Sequence, residues 1–200
     1  MFRARSADDG VSFAPEHPLG LDAGVCACCS LRALADSEGA LWVLYRAFRP
    51  DPGDRPTVLV RSATGEAPWE PMLSDAWPAL QCPMSSGSLV EMPRGILAAW
   101  ETRGAIRIAV APRKGPKGAD PAIRTWGQRA RHPALAVTAS GASVCAWAEG
   151  TGWQRGGAIS WQALEPSGQG GDSPGEVTGL PVWSAPAVFA GPDGGWVVTF

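Results

Sequence analysis

Four of the five cysteines in this 200-residue chain fall in two short motifs: Cys26, Cys28 and Cys29 in GVCACC, and Cys82 in CPMSS. Thiols gathered in this way oxidise to disulfides or, as thiolates, hold soft metals such as Cu(I) or Zn. C-x-C-C is not a standard zinc spacing. The simpler expectation is therefore a disulfide between Cys82 and one of Cys26, Cys28 and Cys29, with no metal and no cofactor. A metal site that also takes in His132 is the alternative. Spacing alone does not give the connectivity. A second chemistry needs two carboxylates. Glu101 and Glu149 follow Trp100 and Trp147 in positions that read as equivalent. Paired carboxylates are the usual equipment for cleaving a glycosidic bond, although local pairing with Arg103 and Arg155 is the plainer reading. A third possibility is recognition alone. The guanidinium forks of Arg46, Arg131 and Arg155 suit a carboxylate, and Trp153 and Trp183 offer flat apolar faces for a sugar.

Such residues need a scaffold, and the chain supplies a repeat. A strand, a glycine turn and a strand ending in an aromatic recur around Gly39, Gly95, Gly141 and Gly194, at intervals of roughly 45 to 55 residues. The terminal aromatics are Tyr45, Trp100, Trp147 and Phe200. Third strands are expected at 56–62, 105–111 and 157–164, with a weaker fourth element closing each unit. No stretch keeps a helical period. Cys145 lies mid-strand and reads as a small buried residue. Trp42 and Trp161 read as core, and His17 as a solvated loop residue. Ser6-Ala-Asp8-Asp-Gly10-Val-Ser12-Phe13 is a turn pattern of its own kind. Ser6 and Asp8 can accept hydrogen bonds from backbone N–H groups. Gly10 supplies a conformation closed to residues with a Cβ, and Phe13 is expected to tuck under the hairpin. RSATGEAPW at 61–69 is a decayed copy that keeps Ser62 and Trp69.

The pattern from Ser6 to Phe13 is a complete Asp box, and with the repeat it resembles the sialidase-like propellers built from bacterial neuraminidase repeats. The likeness is closest to a group of exported bacterial propellers that shows G-x-C-x-C-C, C-P-x-S-x and G-T-G-W-Q-R-G-G, here Gly24–Cys29, Cys82–Ser86 and Gly150–Gly157. The resemblance implies an all-β sialidase-like β-propeller of about four blade equivalents in one domain. Three complete blades are expected at about 24–75, 79–127 and 129–178, flanked by half-blades at 1–15 and 181–200. A chain that starts and stops in mid-blade is expected to be a fragment of a six-bladed propeller. Its open edges would invite self-association. Sialidases use an arginine triad, a Tyr–Glu pair and an Asp. Here no F-R-I-P motif occurs, and the only tyrosine, Tyr45, aligns with the repeat aromatics.

In a propeller, loops entering first strands share a face with loops joining second to third strands, and loops on rigid scaffolds are where function concentrates. That face gathers Cys26, Cys28, Cys29, Cys82, Arg46, Arg131, His132, Glu101, Glu149, Trp153, Arg155 and Trp183. The expected ligand is a glycan or small anion bound by Arg46, Arg131, His132, Glu149, Trp153, Arg155 and Trp183. Exo-glycosidase activity through Glu101 and Glu149 is the alternative. A Cys-rich metal site or an interaction scaffold comes third. The net charge of −2 shows no basic stripe, which disfavours nucleic acid. No apolar run approaches membrane-spanning length. Ten tryptophans exceed ordinary usage. MFRARSADDG lacks the apolar core of a signal peptide, so none is expected in this stretch; the cysteines suit a parent protein that is secreted or periplasmic.

Overall fold

The computed structural model describes residues 1–21, 24–51, 53–113, 121–165, 170 and 174–200. These residues form seventeen strands and no helix, in antiparallel sheets none of which closes into a barrel. Strands β1 (Phe2–Arg3) and β2 (His17–Pro18) pair first. The first large sheet holds β3 (Gly24–Val25), β4 (Arg32–Ala35), β5 (Leu41–Phe48), β6 (Thr57–Ser62) and β7 (Glu70–Asp75), with β3 and β4 both on β5. The second is the meander β8 (Gly87–Met92), β9 (Gly95–Thr102), β10 (Ala105–Ala111) and β11 (Arg124–Trp126). The third is the meander β12 (Ala130–Val137), β13 (Ser143–Glu149), β14 (Gly157–Leu164) and β15 (Gly175–Leu180). Strands β16 (Ala187–Ala190) and β17 (Trp196–Thr199) form the last hairpin. The N-terminal pair departs from expectation, because the partner of β1 lies at 17–18, beyond the stretch 1–15.

Glycine turns set the repeat. Three of the four first hairpins close identically. Gly39 donates to the Asp36 carbonyl while Asp36 donates to that of Ala40; Gly141 and Thr138 do the same with Thr138 and Ala142, and Gly194 and Gly191 with Gly191 and Gly195. This is a type I turn followed by a left-handed residue, which requires positive φ. The glycines sit at φ +85°, +85° and +80°. Gly95 differs: it ends a tighter turn at φ +151°.

The large sheets stack face to face, and the strand period of two assigns each face. Trp42 and Leu44 of β5 meet Ile96, Ala98 and Trp100 of β9. The alternate residues Val43 and Tyr45 turn the other way, to Met1, Leu21 and Trp69. Leu97 and Ala99 of β9 meet Cys145 and Trp147 of β13, and Ala146 and Ala148 meet Val188 and Val198 of the last hairpin. The second strand of each large sheet is thus covered on both faces, which is why LWVLY, GILAAW and SVCAW are nearly unbroken apolar runs. Tyr45, Trp100, Trp147 and Cys145 are buried, and so is Trp42; Trp161 is partly so. First strands of consecutive sheets adjoin, β4 with β8, β8 with β12 and β12 with β16.

The Asp-box turn forms as its chemistry dictates. Asp8 accepts from Ser12 N at 2.9 Å and from the Ser12 and Ser6 hydroxyls at 2.6 and 2.7 Å; Ser6 Oγ accepts from Gly10 N at 2.8 Å. These donors hold the Asp8 carboxyl down at a pKa of about 2. Gly10 has φ +88°. Phe13 does not tuck under the hairpin: it is 64% exposed, because β1 and β2 offer no apolar sheet to receive it. His17 is exposed, but as a strand residue.

Candidate functional site

Polar residues gather where the second strands end and the first strands begin. The four cysteines meet there. Cys28 and Cys82 form a disulfide. Cys26 Sγ lies 3.3 Å from Cys82 Sγ and 3.8 Å from Cys28 Sγ, and Cys29 Sγ lies 3.8 Å from Cys82 Sγ. Local backbone explains the convergence. Cys26 N donates to the Arg46 carbonyl at the end of β5, and Cys29 N donates back to the Cys26 carbonyl, curling the C-x-C-C segment into one turn. Cys82 Sγ accepts from Met84 N, whose residue holds φ +48°. Cys26 and Cys29 are buried free thiols, and burial raises the pKa of Cys29.

The cluster continues into buried charge. Arg46 shares the face of Trp42 and Leu44, so it points at the second sheet. Its guanidinium donates to the Arg55 carbonyl at 2.9 Å, to Ser85 Oγ at 3.0 Å and to the Glu101 carbonyl, with Trp77 stacked 4.7 Å away. Arg46 is buried, so it is a tie between two sheets rather than an exposed ligand anchor. Ser85 Oγ in turn lies 3.8 Å from Cys29 Sγ.

Glu101 and Glu149 are not equivalent. Glu101 follows its tryptophan by one residue and Glu149 by two. With a strand period of two, a one-residue offset reverses the face. Glu101 therefore turns from the Trp100 face towards the third sheet, while Glu149 stays on the Trp147 face. Glu149 accepts from Trp147 Nε1 and Arg129 N, both at 2.9 Å, and from Gln128 N at 3.4 Å. Its carboxylate is a brace for the entrance to β12 and is already committed. Neither glutamate pairs with Arg103 or Arg155 in a salt bridge among the described residues.

Glu101 is 2% exposed and its Oε2 has no hydrogen-bond partner among the described residues. Burial raises its pKa to about 7, against the opposing pull of Arg131 and then Arg46. The folded state thus holds this proton more tightly than the unfolded chain. Stability falls as pH rises from the ordinary 4.5 through about 7, and levels off above. Glu101→Gln, which stays neutral, should gain on the wild type across that window when both are unfolded in urea over a pH series. A pH-independent difference would show that Glu101 does not titrate there. His132 sits at φ +53° with Nδ1 3.2 Å from Ser86 Oγ; burial, then Arg131, lowers its pKa.

The GTGWQRGG loop leaves β13 at the same end of the third sheet. Gly152 N donates to the Arg155 carbonyl at 2.8 Å, and Thr151 Oγ1 to the same carbonyl at 3.2 Å. Arg155 Nε donates to the Gly150 carbonyl at 2.8 Å, so this arginine braces its own loop. The closed loop presents Trp153, 73% exposed, against Trp183, 37% exposed. Their ring centroids are 4.2 Å apart at an interplanar angle of 74°.

The site therefore joins Cys26, Cys28, Cys29 and Cys82, links Arg46 with Glu101, sets Arg131 beside Glu101, and pairs Trp153 with Trp183. It separates Glu149 and commits Arg155. Arg55 escaped the sequence reading. It donates to Cys26 Sγ at 3.2 Å and to the Ala79 carbonyl at 3.1 Å, and stacks 4.4 Å from Phe48. Its place in a loop between second and third strands was the available signal. Ser85, in the CPMSS motif, and Trp77, which stacks on Arg46, carried no such signal.

No family model matches the chain, and no curated protein does.

Proposed function

We propose that the chain folds as a sialidase-like β-propeller and binds a glycan through Trp153 and Trp183. The stack of antiparallel meanders with adjoining first strands supports the propeller, as do the repeated glycine hairpins and the Asp-box turn. The observation that carries the binding is the exposed Trp153–Trp183 pair on a hydrogen-bonded loop. Large aromatics are ordinarily buried, and one held out at a built loop is available for stacking on a sugar face. Arg131 and His132, at the entrance to β12, are the polar groups available for an anionic substituent. Hydrolysis is the weaker reading: Glu149 is consumed by backbone donors and Trp147 Nε1, and Glu101 is buried beside Arg131. The Cys28–Cys82 disulfide supports export to an oxidising compartment.

A glycan array followed by titration calorimetry tests this. Trp153→Ala should weaken binding by roughly tenfold or more, a stacking contact being worth at least 1.4 kcal/mol on this reading. The melting temperature should stay near that of the wild type, since the side chain is mostly exposed. Equal binding by Trp153→Ala and wild type would remove the aromatic pair from the site. Release of a fluorogenic sialoside should not exceed background; turnover that Glu101→Gln abolishes would favour the hydrolase instead.

A further inference from the structure

We propose that Cys26, Cys28, Cys29 and Cys82 form a tetrathiolate site for Zn²⁺, of which the Cys28–Cys82 disulfide is the oxidised, metal-free form. The site is independent of glycan binding. Four thiolates around zinc at about 2.3 Å span a tetrahedron with edges of about 3.8 Å. The Cys26–Cys28 and Cys29–Cys82 sulfur separations are both 3.8 Å, and that of Cys26 and Cys82 is 3.3 Å. The sulfurs of Cys26, Cys29 and Cys82 all lie within 4.8 Å of one another. Little movement separates this cluster from a coordination shell once the bridge is open.

Groups that orient thiolates are already in place. Met84 N donates to Cys82 Sγ at 3.4 Å, Ser85 Oγ lies 3.8 Å from Cys29 Sγ, and Arg55 Nη1 donates to Cys26 Sγ at 3.2 Å. Donors of this kind fix ligand orientation in metal sites. A tetrathiolate with Zn²⁺ carries two net negative charges, and Arg55 offsets one of them at the sulfur it touches. A purely structural bridge gives no reason for two further buried thiols beside it. A free thiol 3.3 Å from a bridged sulfur is placed for exchange with it, which would scramble a fixed staple. Metal binding uses all four.

Opening the bridge takes two electrons. A dithiol supplies them with its two hydrogens, which pass to Cys28 and Cys82, and leaves as its own disulfide. Zn²⁺ then displaces the four thiol protons. In the assay a phosphine replaces the dithiol, which would itself bind zinc; water provides the two hydrogens and the oxygen of the phosphine oxide.

The full chain, before and after phosphine reduction, is titrated with Co²⁺ and then Zn²⁺. The reduced chain should take up one Co²⁺, with the charge-transfer and ligand-field bands of tetrahedral thiolate, and Zn²⁺ should bleach them. The oxidised chain should show no such bands. Cys26→Ser and Cys29→Ser keep the Cys28–Cys82 bridge, so their melting in the oxidised form checks folding. After reduction each should lose affinity by more than about tenfold, and Arg55→Gln should lose about 10–100-fold. Cys145→Ser, remote in β13, should bind as the wild type does. Absence of thiolate bands after reduction, or wild-type zinc affinity in both serine variants, would overturn the proposal.

Discussion

Trp100→Ala should lose about 3–5 kcal/mol of unfolding free energy, the range for deleting a large buried aromatic. Trp100 is 1% exposed and packs between the first and second sheets with Trp42, Leu44 and Leu59. Its indole Nε1 also donates to Asp75 Oδ2 at 2.7 Å, at the end of β7. Truncation therefore leaves a cavity and strips Asp75 of one partner, although Thr102 Oγ1 still donates to it at 2.6 Å. Trp100→Phe, which refills part of the volume but not the hydrogen bond, should fall between the two. Denaturant melting measures both. A loss below about 1 kcal/mol for the alanine variant, the ordinary size of a surface substitution or less, would mean that the two sheets do not close over this side chain.

Gly95→Ala should cost about 2–4 kcal/mol, while Gly39→Ala should cost about 1–2 kcal/mol, although both glycines anchor the same repeat. A Cβ on Gly39 would meet nothing within 4 Å, so only the strain of φ +85° is paid. A Cβ on Gly95 would overlap the Ala111 carbonyl oxygen and crowd Pro112 Cα at 3.1 Å, both backbone atoms. Rotating a side chain cannot relieve that contact. Thermal or urea melting of the two variants gives the ranking, and equal losses would show that β10 shifts to make room at Gly95.

Residues whose meaning is local were legible in the chain. The Asp8 turn, the glycine hairpins and the third strands at 105–111 and 157–164 follow from short-range hydrogen bonding, positive φ and strand alternation. Tyr45, Trp100 and Trp147 were legible because a strand covered on both faces must be apolar throughout, whereas Phe200, past the end of β17, is exposed. Residues whose meaning depends on a neighbouring sheet were not. Arg46 reads as a loop cation, but the face it shares with Trp42 carries it into the next sheet. Counting one residue against two would have separated Glu101 from Glu149. Their different partners, Arg131 for one and the backbone of 128–129 for the other, come from stacking that no spacing encodes. The cysteine partners of Cys82 were narrowed to three; the curl at Cys26–Cys29 brings all three close, and the bond falls on Cys28.

Among the described residues, the first and second sheets are tied by directional bonds at both ends. At the turn end, Glu91 accepts from Ser37 N and Ser37 Oγ across the first and second sheets and is gripped by Arg113. At the opposite end the same two sheets share Arg46, the Trp100–Asp75 bond and the cysteine bridge. The second sheet is thus a beam clamped at both ends to the first. The last hairpin meets the third sheet through the apolar contacts of Val188 and Val198. Such contacts resist separation but slide, whereas directional clamps at two ends resist shear. Under a shearing load the first two sheets would therefore move as one block.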